Sequence, residues 1–332
     1  MLSDDCATAA GNPAGSVSSG YRGRMPSRAR ALLAGWLLIV AVAQLCALAG
    51  IWWIFVRTPH GQLLDTIAWS GRTIGQSRVQ VVVGVTLDAV TVASVIAATC
   101  VVGFIALARR RIVLAVVATL FVAGANLTTQ VLKHVIIHRP DFGVPSGDQL
   151  NSLPSGHTTV AASVAVAAVL VLPPRLRGLA ALLGAAFAAL TGIATLAAGW
   201  HRPSDPVAAL LVVGAWAAGA GLILVLAQRP TAFSDPADAH PYAAMLLVLA
   251  GIGLLGVAML ALGLTGLEHA DPGTLSRRRL FAAYAGGAAG IGGTASVVMA
   301  LVLATVHRVV PGHEGRQPPG TPRQIPVQTG PR

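Results

Sequence analysis

Three short segments carry side chains able to do chemistry together. Pro154-Ser155-Gly156-His157 stands between two long apolar stretches, and His201-Arg202-Pro203-Ser204-Asp205 follows further along. Upstream runs Lys133-His134-Val135-Ile136-Ile137-His138-Arg139-Pro140, and Lys133 is the only lysine among 23 basic side chains. A helix start offers unpaired backbone N–H groups and a positive dipole end, which suits an anion. Gly156 removes the side chain that would block close approach, and His157 is expected one turn in, beside the bound anion. Ser152 is placed to cap that helix and Pro154 to occupy its first turn. His201 and Asp205 are four apart, so on a helical turn Asp205 can accept a hydrogen bond from the ring. That bond fixes the tautomer and makes the other nitrogen a better nucleophile or base. A carboxylate at a helix N-terminus for its own sake explains Asp205 alone equally well.

Asn126, Gln130 and Lys133 recur at helical spacing and give one polar stripe. A membrane helix keeps such a stripe only against other helices or a wet cavity. Interhelical hydrogen bonding, with a lysine snorkelling to the surface, explains the stripe taken alone. Taken together, the three segments point to metal-free phosphoryl transfer through a phosphohistidine. The cations neutralise the charged oxygens and hold phosphorus in line for attack. His201 attacks, His157 protonates the leaving oxygen, and water then releases phosphate with His157 as base.

The elements that must position these residues are membrane helices. The chain of 332 residues is 55% hydrophobic and only 11% charged, with a mean hydropathy of +0.71. A spanning helix needs about 20 apolar residues. Eight runs qualify, near 31–56, 79–108, 112–137, 156–173, 177–200, 204–227, 242–266 and 280–306. The expected fold is an all-α polytopic bundle: a six-helix core over 31–227 and two additional spans within 228–308. The basic segment 1–30 and the Pro/Gly/Arg-rich tail 309–332 are expected to be disordered. The first apolar run is too long for a signal peptide and reads as a retained anchor.

Arginines cluster at one set of helix ends: Arg22, Arg24, Arg28 and Arg30, Arg109 to Arg111, Arg175 and Arg177, Arg229 and Arg308. The positive-inside rule makes that side, with both termini, cytoplasmic, although Arg277 to Arg279 fall on the other side. Lys133, Arg139, His157, His201 and Asp205 then converge at the extracytoplasmic face, in the plasma (inner) membrane of a cell. The net charge of +11 reads as topology signal and anionic-lipid contact, not as a nucleic-acid surface. Cys6, Cys46 and Cys100 form no paired framework and show no metal-ligand spacing, so neither metal nor cofactor is expected.

The sequence resembles the type 2 phosphatidic acid phosphatase superfamily, membrane lipid phosphate phosphatases related to acid phosphatases and vanadium haloperoxidases, over roughly residues 30–227. Its second motif is matched in full at Pro154-Ser155-Gly156-His157, and the His-x-x-x-Asp half of its third motif at His201 and Asp205. The resemblance implies His201 as nucleophile, Asp205 as its orienter and His157 as acid/base. It implies Lys133, Arg139, Ser155 and Gly156 as phosphate ligands. Two departures stand out. Five residues, not six, separate Lys133 from Arg139, and Pro140 disfavours helix at Arg139, which should lie in the loop. The Ser-Arg that opens the third motif is replaced by Ala194-Thr195, so one guanidinium fork is missing. Arg202 is the candidate to supply that charge from another direction. Loss of such a contact costs on the order of a few kcal/mol of transition-state binding.

The expected function is therefore hydrolysis of a lipid phosphate or pyrophosphate at the outer leaflet, the substrate being a polyprenyl pyrophosphate, a phosphatidate-like lipid or a phosphorylated polyprenyl sugar. A silent lipid-phosphate binder or transporter that kept the pocket is the alternative. A channel reading would rest on Asp88 alone, which more simply pairs inside the bundle. The Gly- and Ala-rich last two spans, including Gly286, Gly287 and Gly290, permit close packing with each other or with a second copy in a homo-oligomer.

Overall fold

The structure is a computed structural model that describes residues 27–74, 81, 83–87, 100, 104, 111–144, 151–227, 240–266 and 272–310. Among these the regular structure is entirely helical, an all-α polytopic bundle. Six helices among the described residues are long and apolar enough to cross a membrane, as befits an integral membrane protein. The expected second run, 79–108, and Asp88 within it lie almost wholly outside the described residues.

The first span, α1 (Ser27–Arg57), begins inside the segment expected to be disordered. It is followed by a helix that apolar-run counting does not register, α2 (Pro59–Ser70). Its local signals are ordinary. Thr58 caps it by accepting from Gly61 N at 3.0 Å, and Pro59 opens its first turn. Gly61 is required, since a Cβ there would lie 1.9 Å from the Ile54 carbonyl oxygen. At 12 residues α2 is too short to span.

Beyond it, α3 (Ile112–Val131) continues through a wider π turn, Leu132–Ile136, and then becomes extended. A helix α4 (Gly156–Val171) follows, then α5 (Pro174–Ala197), α6 (Ser204–Ala227), α7 (Pro241–Gly266) and α8 (Arg277–Val309). Pro173 and Pro174 stop α4 and start α5, because proline cannot donate to the turn before it. At 16 residues, α4 is about 24 Å long, shorter than the run that predicts it.

One core joins α3, α4, α5, α6 and α8, with Phe121, Val166, Leu196, Leu224, Ile291 and Leu303 at its centre. Along its length α1 packs on α6, and α7 on α8. The Gly/Ala face of α8 is used within the chain. A Cβ at Gly286 would lie 2.2 Å from Ala261 Cβ of α7, and one at Gly293 2.8 Å from Leu255 Cγ. Without a hydrophobic drive between helices in lipid, such close approach is what holds spans together.

The ends sort by charge. Arg30 donates to the carbonyls of Val225 at 2.9 Å and Leu226 at 2.6 Å, capping the end of α6. Arg177, fully buried, donates to Leu172 O at 3.2 Å and to Val310 O at 2.9 Å. The start of α1, the end of α6, the start of α5 and the end of α8 thus form the basic end of the bundle. Lys133 in the π turn, Arg139 in the loop after it, His157 at the start of α4 and His201 before α6 lie at the other end.

Candidate active site

The third segment folds around a glycine. The end of α5 overshoots into a turn in which Gly199 takes φ +80°, a left-handed conformation. A Cβ there would also meet Arg72 Nε at 2.6 Å. The Thr195 carbonyl accepts from both Trp200 N and His201 N, at 3.0 and 3.3 Å. This turn presents His201 at the cavity wall, while Asp205 enters the first turn of α6 fully buried.

Asp205 is the hub. Its Oδ2 lies 3.1 Å from His201 Nδ1, accepts Arg202 N at 3.0 Å and accepts Ser152 Oγ at 2.5 Å. The carboxylate thus orients the ring and ties the loop before α4 to the loop before α6. The Asp205 carbonyl also accepts Ser155 N at 3.1 Å. Ser152 therefore does not cap α4. Ser155 does, accepting from Thr158 N at 3.4 Å, and Pro154 precedes the helix instead of sitting in its first turn. The reason is that Ser152 finds a stronger, charged acceptor in Asp205.

A cavity of about 600 Å³ opens here, lined by Lys133, Arg139, His201 and Arg202 together with Trp69, His134, His138, Asn151, Ser152 and Trp200. Arg139 lies in the loop, as Pro140 dictates, and its side chain is only 4% exposed. Among the described residues its Nε and Nη2 donate no hydrogen bond, and Nη2 stands 3.8 Å from Asp65 Oδ2. Burial first, and then neighbouring Arg202, push the Arg139 guanidinium below the usual arginine range. Two buried guanidiniums this close are costly unless an anion joins them.

Ser155 and Gly156 are placed differently. The Ser155 hydroxyl is buried and accepts from the Thr158 hydroxyl at 3.0 Å, turned toward its own helix. Gly156 has open space: a Cβ would meet only Gln130 Nε2, at 3.5 Å. His157 is half-buried, with its ring centroid 5.4 Å from that of Trp200 and within electrostatic reach of His201 and Lys133. The stripe on α3 divides. Asn126 donates to Ser163 Oγ of α4 at 3.2 Å, an interhelical bond, while Lys133 reaches the cavity.

The third-motif departure has a structural counterpart. Thr195 is fully buried, and its hydroxyl donates to Gly192 O at 2.8 Å. It faces packing, not the cavity, whereas Arg202 is on the cavity wall.

Sequence reasoning missed Asp65. It lies on α2, 1% exposed, and accepts Ser204 N at 3.1 Å and Ser204 Oγ at 2.6 Å besides its contact with Arg139. Burial, and then the charge of Asp205, raise its pKa to about 6, against the opposing pull of Arg139 and Arg202. A lone acid flanked by Leu63, Leu64 and Ile67 was the available signal.

No curated protein and no solved structure matches the chain. The PAP2 superfamily model matches residues 112–233, the stretch that supplies Lys133, Arg139, His157, His201 and Asp205. That segment, which carries the motif residues among apolar spans, is similar to the PAP2 superfamily, a family of membrane phosphatase type.

Proposed function

We propose that this protein hydrolyses a lipid phosphate or pyrophosphate at the extracytoplasmic face through a phosphohistidine, without a metal. The observation that carries this is the convergence of Lys133, Arg139 and Arg202 on one cavity whose wall includes His201, oriented by Asp205. Asp205 holds Nδ1, which leaves Nε2 of His201 as the attacking nitrogen. Nε2 bonds to phosphorus as the bond from phosphorus to the leaving oxygen breaks, and His157 gives that oxygen its proton. Water, losing a proton to His157, then cleaves the phosphorus–nitrogen bond and releases inorganic phosphate. Lys133, Arg139 and Arg202 neutralise the equatorial oxygens, and the α4 start at Gly156 contributes backbone N–H. The basic ends of α1, α5 and α8, opposite the cavity, support a cytoplasmic placement of both termini.

A silent lipid-phosphate binder is the second reading, favoured by the buried Thr195 at the family's arginine position. The deciding experiment is phosphate release by the detergent-purified chain with excess chelator, offered phosphatidate and a polyprenyl pyrophosphate, beside His201→Ala. Release that survives chelation and vanishes in the variant supports the hydrolase. Binding of those lipids without release transfers the case to the binder.

A further inference from the structure

We propose that Asp65 is a positioning residue of this phosphate site: from α2 it holds Arg139 over the cavity and locks the first turn of α6, setting phosphate affinity. The inference rests on the phosphatase reading above.

The geometry is that of a clamp across two loops far apart in sequence. On one side α2 grips the segment after the lysine. Asp65 Oδ2 stands 3.8 Å from Arg139 Nη2, and one turn earlier Gln62 Nε2 donates to Pro140 O at 2.9 Å. The same Gln62 nitrogen donates to Val56 O at 2.9 Å, anchoring the grip to α1. On the other side α2 grips the histidine segment. Asp65 accepts both the backbone and the hydroxyl of Ser204, the residue before Asp205, and Trp69 Nε1 donates to Gly199 O at 3.1 Å. Asp65 is the only one of these α2 side chains that carries charge, and it sits at the positive start of α6.

Its surroundings show that the charge is not there for stability. On the face away from the site, Asp65 borders an apolar chamber of about 150 Å³ among α1, α2, α6, α7 and α8. There Leu255, Ala258, Met259, Ala283 and Gly286 offer nothing to an anion, and the hydroxyls on the wall besides Ser204 are those of Thr265 and Thr294. The charged groups that act on it are Arg139 and Arg202, which favour ionisation, and Asp205, which opposes it. Burial outweighs the mutual attraction in both Asp65 and Arg139. An ion pair that is costly to both partners is retained for what it aims. Arg139 has a fixed direction only while Asp65 is ionised. In the family's third motif an arginine shares the work of holding phosphate, and here Thr195 stands in its place, so the aim of Arg139 matters more.

The test uses the full chain in detergent with phosphatidate as substrate and orthovanadate as phosphate mimic, comparing wild type, Asp65→Asn, Arg139→Gln, the double variant and Ser204→Ala. Asp65→Asn should raise KM and the vanadate inhibition constant about tenfold while kcat changes less than about threefold, the scale of one charge-assisted contact. The double variant should be no worse than the poorer single, because the two residues act as one unit. The acidic limb of kcat/KM, to which Asp65 contributes through Arg139, should move toward lower pH in Asp65→Asn. Should Asp65→Asn fail to fold, Ser204→Ala removes the hydroxyl contact of α6 with Asp65, weakening the clamp, and should raise KM in the same direction. Wild-type KM, vanadate affinity and pH profile in Asp65→Asn, or penalties that multiply with Arg139→Gln, overturn the proposal alone. A wild type that neither turns over nor shifts its melting temperature with vanadate overturns the phosphatase reading, and the role of Asp65 with it.

Discussion

His201 Nδ1 lies 3.1 Å from Asp205 Oδ2, and that same oxygen also receives the Ser152 hydroxyl and the Arg202 backbone N–H. One buried oxygen atom therefore sets the tautomer of the histidine and the placement of two loops. Asp205→Asn keeps the size but presents an amide to a ring nitrogen that needs an acceptor. Turnover should fall by about two to three orders of magnitude, within the range for loss of an oriented proton-transfer partner. Steady-state rates beside a size-exclusion profile separate this from unfolding. Asp205→Asn with near wild-type kcat would mean that the ring is not oriented through this bond.

Two glycines should answer differently to the same substitution. Gly156→Ala introduces a Cβ that meets only Gln130 Nε2, at 3.5 Å, so melting temperature should stay within a few degrees while activity drops through obstruction of the approaching phosphate. Gly199→Ala forces a side chain at φ +80° against Arg72. It should cost about 1–3 kcal/mol of stability and disturb His201 with it. Thermal unfolding and activity on both variants check the contrast. Equal stability losses would refute it.

Restoring the family's arginine should fail. Thr195 is fully buried, with its hydroxyl on Gly192 O and its carbonyl holding the turn that carries His201. Thr195→Arg must place a long cation among packed side chains and should destabilise by several kcal/mol. Arg202→Gln, by contrast, should leave the fold intact and raise KM about tenfold or more, as for loss of a charge-assisted contact. A Thr195→Arg protein that is stable and faster would show that the cavity can receive a side chain from α5 after all.

Stability should carry the signature of Asp65. Its folded-state pKa, about 6, is raised above its ordinary 3.8, so between these values the folded protein holds a proton that the unfolded chain has released. Stability from this group is therefore full below about pH 4, falls as pH rises through the window, and is lower by about 3 kcal/mol above pH 6. Asp65→Asn should remove that slope. Melting temperatures of both proteins from pH 4 to 7 test this, and parallel curves would contradict it.

The chain's own spacing announced much of the site. Residues four apart on one turn, such as His201 and Asp205, meet wherever the turn forms, and local chemistry is enough to foresee it. Long apolar runs likewise announced their helices, because a span is a property of about 20 consecutive residues. The helix α6 appears at the expected 204–227. Pro140 alone placed Arg139 in a loop, through the restriction that proline imposes on its predecessor.

Tertiary structure decided what depends on residues distant in the chain. Asp65 meets Ser204 across 139 positions, and its apolar neighbours in α2 hint at burial without foretelling that it lies beneath the arginine loop. Ser152 abandons the helix cap for Asp205 because folding brings a charged acceptor within reach. Gly287, read from sequence as a packing residue, in fact leaves room for Pro203, whose Cγ would lie 2.7 Å from a Cβ there, so α8 presses on the segment that carries His201. Local pattern selects each helix and its caps. Which buried charge faces which is settled only when the helices close, because in a low-dielectric interior the cost of each charge depends on every neighbour it finds.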